Sequence, residues 1–397
     1  MKRINDILLG LCSMMLALLL TTACSSSDHD EDIDESAVLN IYVYAPENPM
    51  PTRLDQVPAE DPEKTIHQLQ IWVFRHDTGG KVGYIARSAD VPAEAADLPT
   101  GEEPKAYQID LKELKDFVEA TPNVDVYVAV NASAVGLTLD GNTTSEELDA
   151  AMIQLSGEPA VDYFGVTTPV TSVPANGLPM SGVLRDFPLG GSAPIFSVGN
   201  VTLKRAVSRV RFVAGVKTGY TLKIKRIEMN AGMLPTQEYL FLGTTGTWHL
   251  PAEVSYNSGA TLLTPNITFK DPPNEGNLAT DERPTYDHPT AYLYKEQVKY
   301  EEEVIGEGIT ENHIAELDRC YLRESDQKIR GTIYYQFGND ETEKSATFEM
   351  EEAGEFSRNH SWVVYAYYAG GDNLEVEAVF VKDWQNLGSI EHQIYNW

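Results

Sequence analysis

Cysteine is nearly missing from this chain: of 397 residues three are Cys, with Cys12 and Cys24 close to the start and Cys320 alone in the body. That excludes an internal disulfide framework and a thiolate metal site. Positive charge is also scarce, 30 Lys and Arg against 60 Asp and Glu for a net charge of -30. Phosphate backbones and anionic lipid surfaces therefore repel the protein as a whole, and nucleic acid is not an expected partner. The motifs of enzyme chemistry are missing too. No glycine-rich phosphate loop precedes a helix, no G-x-S-x-G surrounds a serine, and the eight histidines are scattered without ligand spacing. The expectation is a non-enzyme with no catalytic residue, metal or cofactor; Cys320 reads as a small half-buried thiol, and Glu301, Glu302 and Glu303 as solvated charge.

What the chain does have is hydrophobic material, 42% of its residues, in a length that favours two domains behind a processed end. Residues 1–23 read as a lipoprotein signal peptide: Lys2 and Arg3, an apolar run from Ile7 to Leu20, and Thr21-Thr22-Ala23 before Cys24, the expected acylation site. Thr21 stands where such sites usually carry Leu. Ser25 to Glu35 is a serine and acid tract that can bury nothing and serves as a tether.

The segment Ala37 to Ala45 alternates with the two-residue period of a strand, placing Leu39, Ile41 and Val43 on one face. It runs into Pro46, Pro49 and Pro51, which hold the chain extended and leave Arg53 and Leu54 in an exposed connection. The first strand is thereby separable, and 24–53 read together as tether and removable strand.

Further on, Thr65 to Phe74 reads as a half-buried strand entering a Gly79-Gly80 turn, and Val124 to Asn131 as a strand buried on both faces. Two segments carry a helical spacing with a capping-box pattern: Tyr107 to Thr121 (Asp110 and Glu113) and Thr144 to Leu155 (Thr144 and Glu147). Tyr163 to Pro194 is rich in Gly and Pro, as loops are. Val201 to Val216 changes parity near Ser208, which predicts a bulge or turn, and Tyr220 to Met229 does the same; the two are expected to pair. Strands follow at Tyr292 to Val298, Ile329 to Phe337, Ser345 to Met350, Ser361 to Tyr368 and Leu374 to Val381, with a Pro-rich acidic loop at Asp271 to Pro289. The pattern is all-β with minor helices, a sandwich. Beyond Trp384, the tail from Gly388 places Ile390, His392 and Ile394 on one parity and Tyr395 and Trp397 on the other, a short strand without an obvious partner in its own sheet.

Several separated phrases together resemble the fimbrillins of type V pili, the FimA-type family with its Mfa-like and FimB-related lipoprotein pilins. They are Lys64 to Phe74 after a Thr-Arg step, Val126 to Asn131, Leu178 to Gly182, Leu203 to Val210, Ser357 to His360 and Val381 to Trp384, and they span nearly the whole chain. The resemblance implies two tandem transthyretin-like β-sandwich domains, at 54–199 and 200–397, meeting near Ser197 to Val201. It implies export as a lipoprotein to the outer membrane and cleavage between Arg53 and Leu54 by an arginine-specific surface protease. The vacated groove would then accept the C-terminal strand of another copy or another pilus subunit, giving an extracellular fimbrium that supports adhesion, with a host or bacterial receptor as a further partner. Strand 388–397 is the implied donor, and having both Arg53 and this tail points to a stalk subunit over an anchor or a tip. A surface glycan-binding lipoprotein is the reading from a different class, and it needs an aromatic platform.

Overall fold

The computed structural model of the chain describes residues 38–44, 63, 65–99, 104–111, 123–154, 173–190, 196–216, 220–243, 249–265, 267–269, 314–350, 356–368 and 370–381. The fold is all-β. Its first half contains β1 (Val38–Tyr44), β2 (Gln68–Arg75), β3 (Lys81–Ser88), β4 (Lys105–Asp110), β5 (Asn123–Val130), β6 (Met152–Gln154), β7 (Met180–Pro188), β8 (Phe196–Thr202) and β9 (Lys204–Arg205). One sheet has the order β3-β2-β5-β7-β9, the other β4-β1-β8. Between them lies a core that includes Leu39, Ile41, Ile71, Val73, Val126, Val128 and Val201.

The second half contains β10 (Ser208–Val216), β11 (Leu222–Met229), β12 (Gln237–Tyr239), β13 (Ala260–Leu263), β14 (Ile267–Phe269), β15 (Ile314–Leu322), β16 (Ile329–Phe337), β17 (Lys344–Met350), β18 (Ser361–Tyr368) and β19 (Glu375–Val381). Here β15-β10-β18-β19 faces β13-β11-β16-β17, with β14 also on β11. Val210, Phe212, Ile224, Ile333, Phe348 and Trp362 belong to this second core. Each large apolar side chain so buried contributes roughly 1.5–3 kcal/mol.

The strands expected at 37–45, 124–131, 329–337, 345–350, 361–368 and 374–381 are present within a residue or so of their expected ends. The strand at 65–74 is present as β2 but is covered on both faces rather than half-buried. Its polar side chains find partners under the 137–143 segment: the Gln70 amide donates to the carbonyl of Leu139 (2.7 Å) and Trp72 Nε1 to that of Asp140 (2.8 Å).

Other expectations are overturned. The helix expected from Tyr107 begins instead as β4, where Tyr107, Ile109 and Leu111 are buried at every second position and the strand pairs with β1; 112–122 lie outside the described residues. The helix from Thr144 exists with its capping box but spans only Ser145–Asp149, because Met152–Gln154 is taken into a ladder with β12. β7 lies within the stretch expected to be loop. The turn expected near Ser208 does occur, as a bend at Ala206 and Val207, and there the chain passes between sheets: β8 pairs with β1, β9 with β7, and β10 with β15 and β18. β10 and β11 do not pair with each other and lie in opposite sheets of the second core. The irregularity in β11 does occur, between Ile224 and Arg226. Cys320 is fully buried in β15, a strand the sequence reading missed. The segments expected at 271–289 and 292–298 and the acids 301–303 lie outside the described residues.

Candidate functional site

β1 occupies an unusual place. It is the central strand of its sheet, antiparallel to β4 (Val38 opposite Asp110 through Val43 opposite Lys105) and parallel to β8 (Val38 opposite Phe196 through Tyr44 opposite Thr202). Among the described residues, neither β4 nor β8 pairs with any other strand. Leu39, Ile41 and Val43 are all 0% exposed, so the inward face is completely covered, while Tyr44 at the end of the strand is open to solvent. Taking β1 away would expose three large apolar positions and two rows of backbone groups that face one another.

The walls of this groove have attachments of their own. Ile109 of β4 lies over Gly83, where a Cβ would come within 2.6 Å of it, and Val201 of β8 lies over Gly182 at the same distance. Glycine at those two positions lets the sheets approach more closely than any side chain allows. The Tyr107 hydroxyl donates to the carbonyl of Asp97 (2.5 Å), and Ser197 Oγ accepts from the amide of Gly190 (2.8 Å). None of these contacts involves β1.

Both ends of the connection after β1 are tied to the same short stretch. The carbonyl of Tyr44 accepts from the amide of Leu203 (2.9 Å), and that of Glu63 accepts from Arg205 Nε (3.3 Å). Tyr44 and Glu63, the described residues on either side of 45–62, are thus both bonded to Leu203–Arg205.

Glu63 is a buried carboxylate, 1% exposed, set among cations. Oε2 pairs with Arg209 Nη1 at 2.7 Å, Oε1 accepts from the Tyr321 hydroxyl at 2.5 Å, and Arg319 Nη1 stands 3.6 Å from Oε1. Burial pushes this carboxyl upward, but Arg209, the Tyr321 hydroxyl, Arg319 and Arg205 together outweigh it and hold the pKa at about 2. Burial and the same carboxylate push the Tyr321 phenol upward. Because the cations come from β9, β10 and β15, Glu63 ties the start of β2 to strands of both cores.

A second buried cluster fixes the ladder between β6 and β12. Arg358 pairs with Glu238 (3.2 Å) and Glu324 (3.6 Å) and donates to the carbonyls of Tyr239 (2.8 Å) and Leu240 (3.0 Å). Arg323 donates to the carbonyls of Ile153 (3.0 Å) and Thr236 (2.9 Å). Each guanidinium offers several donors in a fixed fork, which is how one side chain can hold two strands.

The structure gathers Leu39, Ile41 and Val43 into one groove. Cys24, Arg53, Leu54, Ile390, His392, Ile394, Tyr395 and Trp397 lie outside the described residues. Glu63 and the glycines of the groove were missed by sequence reasoning. One signal was legible: in so acidic a chain, Lys204, Arg205, Arg209 and Arg211 fall within eight residues, a density of cations that asks for a buried anion. Among the described residues, no group of three or more His, Cys, Asp or Glu could hold a metal ion, and no helix is long and apolar enough to cross a membrane, which leaves strand-built spans unaddressed. A cavity of about 510 Å³ is lined by residues such as Leu139, Asp140, Asn142, Glu147 and Met152, none of them aromatic, so a sugar ring finds no face to stack on there.

No protein-family model matches the chain, and no curated protein sequence does so significantly. Solved structures do. The tip fimbrial protein Mfa3 of Porphyromonas gingivalis, with a C-terminal truncation, is 12% identical with a TM-score of 0.45, over 88% of this chain and all of that one (100%). A fimbrial assembly protein of Parabacteroides distasonis is 13% identical with a TM-score of 0.39, over 87% of this chain and 98% of that one. At such scores the fold is carried by the chain's own strand pairing and not by the likeness.

Proposed function

We propose that the chain is a structural subunit of a surface fimbria, in the stalk position, whose β1 is a temporary plug. In this reading a lipid on Cys24 brings the precursor to the outer membrane, and cleavage after Arg53 frees β1. The groove between β4 and β8 then takes a strand from the next subunit. The observation that carries the reading is that β1 is the sole strand partner of both β4 and β8 among the described residues. A strand that fills such a gap restores two ladders and three apolar contacts at once, the physics of strand addition. Walls anchored at Gly83 and Gly182 suit the role, since an acceptor must outlast the loss of its plug.

Arg53→Ala tests it. The variant should reach the surface uncut, keep β1 in place and stay monomeric, read on an unboiled denaturing gel and by N-terminal sequencing of surface-extracted protein. A normal high-molecular-weight ladder from this variant refutes the plug. Delivery has its own check. Cys24→Ala should abolish incorporation of a labelled fatty acid and surface display together, because acyl chains supply the initial membrane attachment; display without label refutes lipidation.

A further inference from the structure

Gly199 stands beside Ile41 in the parallel register of β1 and β8. Its backbone is not in the left-handed region, so its conformation does not call for glycine. Space does. A Cβ at this position would lie 2.8 Å from Ile41 Cδ1 and 3.1 Å from Leu184 Cδ2, with Phe187 Cε1 at 3.8 Å. Carbon atoms in contact sit roughly 3.5–4.0 Å apart, so the δ-methyl of Ile41 fills the volume that any side chain at 199 would claim. The flanking inward residues have no such room on this wall: Leu39 is opposite Ser197 and Val43 opposite Val201, both of which carry side chains. The notch in β8 is thus single and central.

We propose that Gly199 is the specificity-determining residue of the groove, admitting at its centre one aliphatic side chain that ends in a δ-methyl and so fixing the register of an incoming strand from a second copy of the chain. This rests on the reading of the groove as an acceptor. Strand pairing by itself tolerates slips of two residues, since each such slip returns the same face to the core. A notch of one size at one place removes that freedom. In the tail, Ile390, His392 and Ile394 share a parity. Laying them directly over Leu39, Ile41 and Val43 would put the His392 ring in the notch, where its polar nitrogens would be buried among aliphatic carbons. A shift of two residues puts Ile390 or Ile394 there instead. The shifted register is the selected one.

The test uses the full chain carrying a specific protease site within 45–62, cut there, and challenged with fluorescent synthetic peptides of the β1 sequence Val38–Tyr44 that hold either Ile or Val at position 41. Val lacks only the δ-methyl. Wild-type protein should take up the Ile peptide in preference to the Val peptide by about tenfold, the scale of a buried Ile-to-Val change. Gly199→Ala should reverse that order. In the uncut chain, Gly199→Ala should lower the melting midpoint and added Ile41→Val should recover part of it, which keeps the comparison available where the single variant folds poorly. Uptake of both peptides without reversal overturns the notch and leaves the acceptor reading standing. Melting coupling between positions 41 and 199 with no peptide uptake by either protein overturns the acceptor reading, and the selector with it.

Discussion

Deletion of Ser389–Trp397 should give a folded, correctly processed chain that forms no fimbriae. β19, the last described strand, already pairs with β18 through Ser361 opposite Val381 to Tyr367 opposite Glu375, so the second sandwich has its sheet order without the tail. The tail carries Ile390 and Ile394 on one parity with His392 between them, so in the proposed shifted register one isoleucine would enter the β1 groove at its centre. Inserted there, each buried isoleucine contributes roughly 1.5–3 kcal/mol, in addition to ladders with β4 and β8, and a complex held in that way dissociates slowly. Removing the strand removes the whole contribution, so the expected effect is complete loss of the ladder on an unboiled gel. Thermal melting and N-terminal sequence should match the parent's. Cysteines at Ile394→Cys and Leu184→Cys, the latter beside Gly199 in the groove, should crosslink between subunits of the full-length protein. Undiminished polymer from the deletion variant refutes the donor role.

The elements legible in the sequence are those whose side chains sort by face alone. β1 and β16 show the two-residue period because one sheet face of each lies against a core. β4 was misread because Leu111, Leu114 and Val118 fall at helical spacing behind an Asp110–Glu113 cap pattern, while the burial of Tyr107 and Ile109 is imposed by β1, which is distant in sequence. β7 was lost in Gly- and Pro-rich composition, yet Gly182 within it is there for the close approach of Val201 rather than for a turn. Of the site, the plug residues Leu39, Ile41 and Val43 could be read from alternation. The groove that receives them could not, because its notches are glycines whose meaning is a neighbour's methyl group. Nor could the Glu63 anchor, whose partners Arg209 and Tyr321 lie 146 and 258 residues away.

Glu63→Gln should cost about 3–5 kcal/mol of stability, the usual result of removing one member of a buried ion pair. The amide keeps the size of the carboxylate but not its charge, and Arg209, 5% exposed, and Arg205, 0% exposed, lose the anion they were folded around. The dependence on pH separates this charge effect from simple loss of packing. The folded-state pKa of Glu63 is about 2 against 4.5 for the unperturbed group. A carboxyl depressed in this way contributes its full stability above about pH 4.5 and loses it as the pH falls through that window towards 2, for a total of about 3 kcal/mol. Wild type and Glu63→Gln should therefore differ most at neutral pH and converge on acidification below pH 4.5, in urea titrations followed by tryptophan fluorescence. Every other carboxylate is common to both proteins, so subtracting the two curves isolates this one. The anchor also predicts where the damage appears. In hydrogen exchange, protection should fall first at Leu69 to Val73 in β2 and at Arg209 to Phe212 in β10, the strands that Glu63 joins, while β16 and β17 keep theirs. A difference that stays constant from pH 7 to pH 2 shows that Glu63 acts by shape rather than by charge, and uniform loss of protection across both sandwiches shows that it is not a local tie.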